Sequence, residues 1–451
     1  MNSQVFREYD IRGIVANDFD DDFVVDLGRG YATLLHRAGK KTITLGRDCR
    51  LSSQHLRDRL VEGLLSGCIN VVDVGVVPTP LLYFSMLSWK MDGGAMITGS
   101  HNAAEYNGFK LGVGSTTIYG AEIQRLREII ERHDFVTTGA KGSLTERPVI
   151  PDYNDFILSQ FKLTPGLKAA VDGGNGCGGA VAAPLMKRLG LEVFELYTEM
   201  DGRFPNHHPD PTVEDNMRDL IAAVKQHRAA IGIAYDGDAD RVGAVDENGK
   251  IVWGDELMVA FSRAILRERP GATIIGDVKC SKRMYDDIAR HGGRPIMWKT
   301  GHSLIKSKLR EEHAVLAGEM SGHMFFADRY FGFDDAIYAS FRLLEIISRL
   351  GRGLGALLAD LPASHVTPEI RLECPDERKF EVVRQAAEFF RKHYEVIEID
   401  GARVNFGDGW GLVRASNTQP ALVTRFEAAS EKRLAEIRAL FDDKLRELGA
   451  V

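Results

Sequence analysis

A repeated alternation of apolar and polar segments organises the first three quarters of the chain. Three times, a short apolar run leads into a polar loop, a helix-like stretch, one or two glycines and a second apolar run. The three copies begin at Thr42, Leu167 and Thr273. The order strand, loop, helix, glycine, strand is typical of a βαβ crossover. The pattern therefore predicts three related α/β domains with mixed sheets.

The pattern changes near Pro362. Two helical patterns, at about 378–393 and 430–448, alternate with short strand-like runs such as Leu422–Phe426. Helices and strands arranged in this way predict a smaller C-terminal α+β domain. We therefore expect four domains, at residues 1–146, 147–250, 251–362 and 363–451.

Composition narrows the class of protein. The chain has 451 residues and a net charge of −7, which argues against a general nucleic-acid binder because phosphate backbones require a basic surface. No apolar run reaches the ~20 residues of a transmembrane helix, and the N-terminus has no signal-peptide pattern. The five cysteines lack CxxC spacing and suggest neither a zinc site nor a disulfide framework. We expect a cytoplasmic protein without nucleic-acid or membrane partners.

The segment Met96–Lys110 contains a candidate nucleophile. A short apolar run ends in Gly99, and Ser100 then stands at the tip of a turn with His101 and Asn102 beside it. A sharp turn after a strand presents a hydroxyl for chemistry among groups that can donate to an anion. A polar loop in which the serine caps a helix fits these residues equally well.

Three carboxylates alternate in the segment Asp236, Asp238 and Asp240. On an extended strand they would stand ~6.6 Å apart, but Gly237 allows a curl that brings them onto one hard cation. A calcium EF-hand loop is a partial match, although Arg241 stands where that loop needs glycine. The strand-like flanks favour magnesium, and a calcium- or carbohydrate-binding module remains the non-catalytic alternative.

Two further loops carry phosphate-binding patterns. Arg414–Pro420 offers an arginine, two hydroxyls and an amide, which suits a phosphate, although a solvated turn has the same composition. Gly174–Gly179 matches the dinucleotide fingerprint G-x-G-x-x-G, so a dinucleotide-dependent oxidoreductase is an alternative. The same order of strand, loop and helix recurs at Gly46 and Gly276, where the glycine-rich sequence is absent. This recurrence favours a packing role for the glycines of Gly174–Gly179.

Together with Phe6–Gly13 and Gly318–His323, these segments resemble the α-D-phosphohexomutases over the whole chain, in the family's order and spacing. The sequence Gly-Glu-Met-Ser-Gly-His is similar to the bacterial phosphomannomutase/phosphoglucomutase branch. The phosphoglucosamine mutases of the same superfamily are the alternative. One departure is Ala103-Ala104, where many relatives have proline after Ser-His-Asn.

The resemblance implies four domains around a central cleft and an intramolecular phosphotransferase. Ser100 would carry a phosphoryl group and would bind Mg²⁺ together with Asp236, Asp238 and Asp240. Hexose 1-phosphate and hexose 6-phosphate, of mannose, glucose or both, would interconvert through hexose 1,6-bisphosphate. The domains would supply, in order, the phosphoserine, the metal, sugar recognition and phosphate binding.

The resemblance also assigns the remaining residues. Lys110 and Arg241 would neutralise charge on the transferred group, and Glu319 and Ser321 would hold the sugar's 3- and 4-hydroxyls. Candidates for the proton carrier are Arg12, Lys110, His302 and His323. The other expected substrate contacts are Tyr9, Lys279, His302, Arg414, Ser416, Asn417 and Thr418. The expected partners are small phosphosugars, and we expect a monomer, with an oligomer left open.

Overall fold

The computed structural model of the chain describes residues 2–136, 139–417 and 420–450. In these residues the strands form four separate sheets, which follow one another along the chain. The predicted change of pattern near Pro362 falls just before the fourth sheet, which begins at His365. Among the described helices, none combines the length and the apolar character needed to cross a membrane.

The first sheet is mixed. Its strands are β1 (Ile11–Ile14), β2 (Thr42–Arg47), β3 (Asn70–Val76), β4 (Gly93–Ile97), β5 (Tyr106–Val113), β6 (Thr116–Thr117) and β7 (Leu144–Glu146). They stand in the order β1-β5-β4-β2-β3-β7, with β6 beside β5, and β4, β2, β3 and β7 are parallel. The helices of this part are α1 (Val15–Asp18), α2 (Asp21–Arg37), α3 (Ser53–Ser66), α4 (Thr79–Ser88) and α5 (Ala121–Glu131).

The second sheet repeats this plan with fewer strands. The elements are α6 (Ile150–Gln160), β8 (Lys168–Asp172), α7 (Cys177–Arg188), β9 (Glu192–Leu196), α8 (Arg218–His227), β10 (Ile231–Tyr235), β11 (Val242–Asp246) and β12 (Ile251–Val252). The strand order is β12-β11-β10-β8-β9, and β10, β8 and β9 are parallel.

The third sheet has the order β14-β13-β15-β16, with its first three strands parallel. Its elements are α9 (Gly254–Glu268), β13 (Thr273–Asp277), α10 (Lys282–Arg290), β14 (Arg294–Trp298), α11 (His302–Glu311), β15 (Leu316–Gly318), β16 (Met324–Phe326), α12 (Ala336–Leu350) and α13 (Leu354–Leu358). The three βαβ units predicted from the sequence are therefore confirmed.

The fourth sheet is antiparallel, in the order β17-β22-β21-β20-β19, with β18 also beside β22. Its elements are β17 (His365–Val366), β18 (Ile370–Glu373), α14 (Asp376–Arg391), β19 (Glu395–Ile397), β20 (Ala402–Asn405), β21 (Gly409–Ala415), β22 (Ala421–Ala428) and α15 (Glu431–Glu447). The two helices lie within two residues of the predicted ends, because their amphipathic periodicity is strong.

The first sheet has a hydrophobic cluster of its own with α2 and α3, and a second, shared cluster joins the first three sheets. It includes Leu81 of α4 and Phe341 of α12, a helix whose side chains are buried on nearly every side. The fourth sheet packs its own core against α14 and α15, through Phe390, Phe426 and Phe441. The first three domains are thus one packed body, and the fourth has a core of its own.

The carboxyl ends of four parallel strands supply the candidate functional residues. Ser100 follows β4, Asp236 follows β10, Lys279 follows β13 and Glu319 follows β15. Ligands of open α/β sheets bind outside the carboxyl ends of the strands. The topology therefore explains why residues from distant parts of the sequence meet.

Candidate active site

A cavity of about 900 Å³ lies between the four domains. Ser100 of the first domain, Arg241 of the second, Glu319 of the third and Arg414 of the fourth all line it. The cavity has the size of small-molecule sites and carries both polar and apolar lining atoms.

Ser100 lies in this cavity wall with its backbone in the left-handed region, at φ 48°. Its Oγ donates a hydrogen bond of 3.0 Å to Asp236 Oδ2 and lies 3.3 Å from His101 Nδ1. No helix follows the serine, so the helix-cap alternative is wrong. A non-glycine residue in this backbone region is uncommon and is typical of functional turns.

Arg50, which was not predicted as a site residue, holds the serine loop in this shape. Its side chain is buried and pairs with Asp48 at 3.1 Å. Its guanidinium donates hydrogen bonds of 2.5–3.0 Å to the carbonyl oxygens of Ser100, Asn102, Ala103 and Tyr106. A Cβ at Gly99 would lie 2.6 Å from the Arg50 Cζ. The arginine therefore fixes the loop at Ala103.

The three carboxylates of Asp236, Asp238 and Asp240 converge as predicted. Each is fully buried and offers an oxygen within 4.8 Å of the other two. The curl differs in one detail, because the left-handed residue is Ala239, at φ 56°, rather than Gly237. Gly237 is needed for another reason: a Cβ there would lie 2.4 Å from the carbonyl oxygen of Ser100.

Lys110 lies among these carboxylates. It stands on β5 opposite Met96, and its Nζ bonds to Asp240 Oδ2 and lies 3.2 Å from Asp238 Oδ2. Burial and the two neighbouring carboxylates raise the pKa of Asp236. Burial opposes ionisation of Asp240 as well, but Lys110, His323 and Arg241 together outweigh it and hold the pKa of Asp240 below its usual value.

The carboxylate loop fits a hard cation. Asp238 Oδ1 and Asp240 Oδ1 are buried and have no hydrogen-bond partner among the described residues. An unpartnered buried carboxylate oxygen costs about 1–3 kcal/mol, which an oxygen-liganded ion would offset. Asp236, with Ser100 Oγ against it, completes a set of oxygen donors of the kind that Mg²⁺ and Ca²⁺ prefer.

A second buried group stands behind the carboxylate loop. Arg241 Nε donates a 3.0 Å hydrogen bond to His323 Nε2, and His323 Nδ1 lies 3.2 Å from Asp334 Oδ2. His302, the first residue of α11, places Nδ1 3.8 Å from the same Asp334 oxygen. Burial and Lys306 lower the pKa of His302 well below its usual range. The structure thus brings His302 and His323 together through Asp334, which the sequence did not single out.

The predicted sugar contacts are neighbours in the structure. Glu319 Oε1 accepts a 2.8 Å hydrogen bond from the Gly301 amide, and its Oε2 accepts one of 3.0 Å from Ser321 Oγ. Lys279 Nζ lies 2.9 Å from Glu369 Oε2, and both residues line the cavity. Glu369 and its cavity neighbour Arg371 are further residues that the sequence did not reveal.

The phosphate-type loop forms the turn between β21 and β22. Arg414 Nε pairs with Asp400 at 3.0 Å, and Ser416 lines the cavity. Asn417 Nδ2 donates a 2.8 Å hydrogen bond to the Tyr9 hydroxyl, which donates to the Thr300 carbonyl at 2.9 Å. Tyr9 therefore links three domains. Thr418 lies outside the described residues.

Arg12 stands at the edge of the serine loop. Its guanidinium donates a 2.7 Å hydrogen bond to Asn102 Oδ1 and pairs with Asp10. The register places Arg12 on β1 opposite Gly108 of β5. This contact puts a cation beside the residues that follow Ser100.

The glycines of Gly174–Gly179 are packing residues, as predicted from the recurrence of the strand–loop–helix order in the other two repeats. A Cβ at Gly176 would lie 2.5 Å from the Gly237 carbonyl, and the Cys177 amide donates to that carbonyl at 3.0 Å. Gly179 packs against Thr198 in the same way. The start of α7 thus packs against the carboxylate loop and supports it.

These features define a phosphoryl-transfer enzyme for small anionic substrates, because a serine, a carboxylate loop and arginines from three domains share one cavity. Family models of phosphoglucomutase/phosphomannomutase match the chain in four parts. The α/β/α domains I, II and III match residues 3–137, 151–249 and 253–365, and the C-terminal domain matches residues 369–444. The chain belongs to the phosphoglucomutase/phosphomannomutase family.

Individual relatives agree with this membership. The phosphomannomutase/phosphoglucomutase of Pseudomonas aeruginosa is 43% identical, over 98% of this chain and 96% of the relative. The phosphoglucomutase of Neisseria gonorrhoeae is 46% identical, over 97% of this chain and 95% of the relative. A crystal structure of a family protein from Burkholderia thailandensis has a TM-score of 0.92 and 44% identity, and covers 99% of this chain and 98% of that one.

Proposed function

We propose that this protein is an isomerase that interconverts hexose 1-phosphate and hexose 6-phosphate, of mannose, glucose or both. The observation that carries the proposal is the 3.0 Å contact of Ser100 Oγ with Asp236, in a cavity that also contains Arg414. The names of the similar proteins from Pseudomonas aeruginosa and Neisseria gonorrhoeae support both sugars.

Ser100 is the carrier of the phosphoryl group in this proposal. Arg50 and Gly237 fix its carbonyl oxygen, so the hydroxyl has a set direction toward the carboxylate loop. Phosphoryl transfer depends mainly on in-line positioning and on neutralising the charge of the transferred oxygens. Lys110 and Arg241 are cations beside the carboxylate loop, held there by Asp240 and His323.

The carboxylate loop would hold a metal ion in this site. Asp236, Asp238 and Asp240 would hold Mg²⁺ together with the oxygen of Ser100, as the free carboxylate oxygens suggest. When bound, such an ion stabilises negative charge on a transferring phosphoryl group as a Lewis acid. The rest of the chemistry belongs to the side chains of the cavity.

The substrate is held at both ends. Arg414, Ser416, Asn417 and Thr418 would bind the phosphate that is not transferred. Glu319 and Ser321, already hydrogen-bonded to one another, would contact the 3- and 4-hydroxyls of the sugar. Glucose and mannose differ at position 2, so hydrogen bonds to the hydroxyls at positions 3 and 4 are compatible with both sugars.

Tyr9, Lys279 and His302 would make the remaining substrate contacts. Transfer from Ser100 yields hexose 1,6-bisphosphate, which reorients and returns its other phosphate to Ser100.

His323 is the proton carrier that we favour. It lines the cavity, its Nδ1 lies 3.2 Å from Asp334 Oδ2, and its Nε2 would accept a proton once Arg241, which now donates to that nitrogen, turns toward the phosphoryl group. Arg12 is paired with Asp10, and Lys110 lies between two carboxylates, so both are suited to neutralising charge. A residue that accepts the proton of the attacking hydroxyl returns it in the reverse half of the cycle.

One chain supplies every group of the proposed site, which supports a functional monomer. None of the five cysteines forms a disulfide, which supports a cytoplasmic location. The phosphosugar substrates are small molecules, and the proposal requires no nucleic acid or membrane.

Turnover of mannose 1-phosphate and glucose 1-phosphate tests the proposal, with Mg²⁺ and a trace of glucose 1,6-bisphosphate. Ser100→Ala should abolish turnover of both sugars, whereas Ser115→Ala, an exposed serine between β5 and β6, should not change it. Full activity of Ser100→Ala would refute the phosphoserine mechanism. Activity confined to glucosamine phosphates would place the protein with the phosphoglucosamine mutases.

A further inference from the structure

Four buried polar atoms lie together between the carboxylate loop and the third domain. They are Asp240 Oδ1, His302 Nδ1, His323 Nδ1 and Asp334 Oδ2, and none of them has a hydrogen-bond partner among the described residues. All four side chains are buried, and the most accessible, His302, is 8% exposed. Unpartnered polar atoms are rare in a protein interior, so four at one place need a common explanation.

The distances between these atoms suit a tetrahedral metal ion. His323 Nδ1 lies 3.2 Å from Asp334 Oδ2 and 3.5 Å from Asp240 Oδ1. His302 Nδ1 lies 3.8 Å from the same Asp334 oxygen, and its ring is stacked beside that of His323. A tetrahedral zinc ion with bonds of about 2.0–2.1 Å holds its ligand atoms about 3.3 Å apart. The four atoms therefore need only small shifts to bind one ion.

Hydrogen bonds between these residues do not account for the arrangement. The distance of 3.2 Å would allow one, but the ring N–H of His323 is not directed at the Asp334 oxygen, so both atoms lack a partner among the described residues. The other oxygen of each carboxylate is already bound. Lys306 Nζ donates to Asp334 Oδ1 at 3.1 Å, and Lys110 Nζ donates to Asp240 Oδ2. Each carboxylate thus presents one oxygen to the site in a fixed orientation.

We propose that these four side chains form a binding site for Zn²⁺, distinct from the magnesium site of the carboxylate loop. Two imidazole nitrogens and two carboxylate oxygens are ligands that zinc accepts, whereas Mg²⁺ prefers oxygen ligands alone. Asp240 is shared by the two sites, and their other ligands differ. The carboxylate loop, residues 236–240, contains no histidine, so the two sites select different ions.

Zinc in this site inhibits turnover through His323. With the metal on Nδ1, the neutral ring carries its proton on Nε2, so Nε2 cannot accept a proton from the attacking hydroxyl. Arg241 now donates to Nε2 at 3.0 Å and must turn away from it. The same ion also takes His302 from the substrate. This inhibition rests on the proposed function, but the binding of zinc does not.

Zinc binding to the full-length protein tests the site directly. Excess Mg²⁺ is present to occupy the carboxylate loop, and one equivalent of Zn²⁺ is added. X-ray absorption at the zinc edge should detect two imidazole ligands at about 2.0–2.1 Å, and His302→Ala should reduce the number to one. Zinc coordinated by oxygen atoms alone would overturn the proposal. The wild-type spectrum needs no variant, so it decides the question even if a substitution prevents folding.

Variants assign the ion to its site, with zinc affinity measured by competition with a fluorescent chelator. Asp334→Asn should weaken zinc binding at least ~10-fold, because even a residue that only orients a metal ligand contributes that much. Asp236→Asn changes the carboxylate loop alone and should leave zinc binding unchanged. His55→Ala is the control for surface binding, since His55 is exposed and lies 2.7 Å from Asp21. Zinc binding that Asp236→Asn or His55→Ala abolishes and Asp334→Asn retains would overturn the proposal.

Turnover of glucose 1-phosphate separates inhibition from binding. One equivalent of Zn²⁺ in excess Mg²⁺ should lower turnover by ~100-fold or more, because general acid–base catalysis contributes about 10²–10⁴-fold. A zinc-selective chelator should restore it. Zinc on two imidazoles with unchanged turnover would overturn the link to His323. A protein that binds zinc in this way but turns over no hexose phosphate would refute the proposed function and support the zinc site.

Discussion

The carbonyl oxygen of Ser100 packs directly on Gly237, where an added Cβ would lie 2.4 Å from that oxygen. This contact joins the loop of the nucleophile to the loop of the carboxylates, although the two belong to different domains. A Cβ–oxygen distance below 3.0 Å is not tolerated, and the atom at risk here is backbone, so one loop must move.

Replacing Gly237 with alanine should therefore separate Ser100 from Asp236. We expect turnover to fall by ~10- to 100-fold, because a displacement of about 1 Å has that effect on a reaction that depends on positioning. Steady-state kinetics with glucose 1-phosphate measure it. Gly39→Ala is the control. A Cβ at Gly39 would meet no neighbouring atom, so this variant has only the backbone strain of a φ of +70°. It should cost about 1 kcal/mol of stability and leave turnover unchanged.

Replacing Arg50 with lysine keeps the charge but removes the fork that reaches four carbonyls. We expect kcat to fall at least ~10-fold while KM changes little, because the substrate-binding loops are elsewhere. Denaturant unfolding should show a loss of about 2 kcal/mol from the unsatisfied carbonyls. Arg37→Lys, at an exposed pair with Asp134, should match the wild type in both measurements. Equal kcat in Arg50→Lys would contradict the role given to this residue.

Replacing Tyr9 with phenylalanine removes the hydroxyl that links Thr300 and Asn417. The two lost hydrogen bonds, of about 1 kcal/mol each, hold Asn417 of the fourth domain against the first and third domains, so KM should rise ~30-fold with kcat nearly constant. Steady-state kinetics with glucose 1-phosphate measure both constants. Tyr394→Phe, at a more exposed tyrosine of the fourth domain, is the control. An unchanged KM would mean that the link does not contribute to substrate binding.

The stability of the protein should depend on Asp335. Burial raises the pKa of this carboxyl to about 6, although Tyr153 and Tyr330 donate to it. The folded state therefore binds a proton more tightly than the unfolded state, and stability is lost as the pH rises from about 4 to 6. Asp335→Asn should remove this loss, which is at most about 3 kcal/mol. Urea unfolding of both proteins at pH 4.5 and pH 7 measures it, and an equal pH dependence would refute the assignment.

The sequence predicted those parts of the site that are local. Asp236, Asp238 and Asp240 lie within five residues, so their spacing alone predicted convergence around a turn. The helix predicted at about 378–393 differs by two residues from Asp376–Arg391, because an amphipathic period survives small errors at the ends. The roles of Glu319 and Lys279 came from the family resemblance and remain predictions.

What the sequence did not predict depends on contacts between distant segments. Arg50 donates hydrogen bonds to backbone carbonyl oxygens. Every residue has such an oxygen, so the residue types of the serine loop do not indicate that an arginine binds there. In the sequence, Asp334 stands beside Asp335 just before a helix and has the pattern of a helix cap. Its contacts with His302 and His323 arise only in the folded chain. Such long-range pairs depend on the topology of the fold. The periodicity of a single sequence predicts the helices and strands but not which distant residues come into contact.

The separate core of the fourth domain has a consequence for how the chain comes apart. Phe390, Phe426 and Phe441 pack among themselves, whereas Leu81 and Phe341 belong to the core that the first three domains share. We therefore expect the C-terminal domain to unfold separately on heating, once its contacts with the third domain, among them the buried Arg425–Asp255 ion pair, have broken. The first three domains would then retain Ser100 and the three aspartates but would have lost Arg414, so they would be unable to bind the phosphate of the substrate.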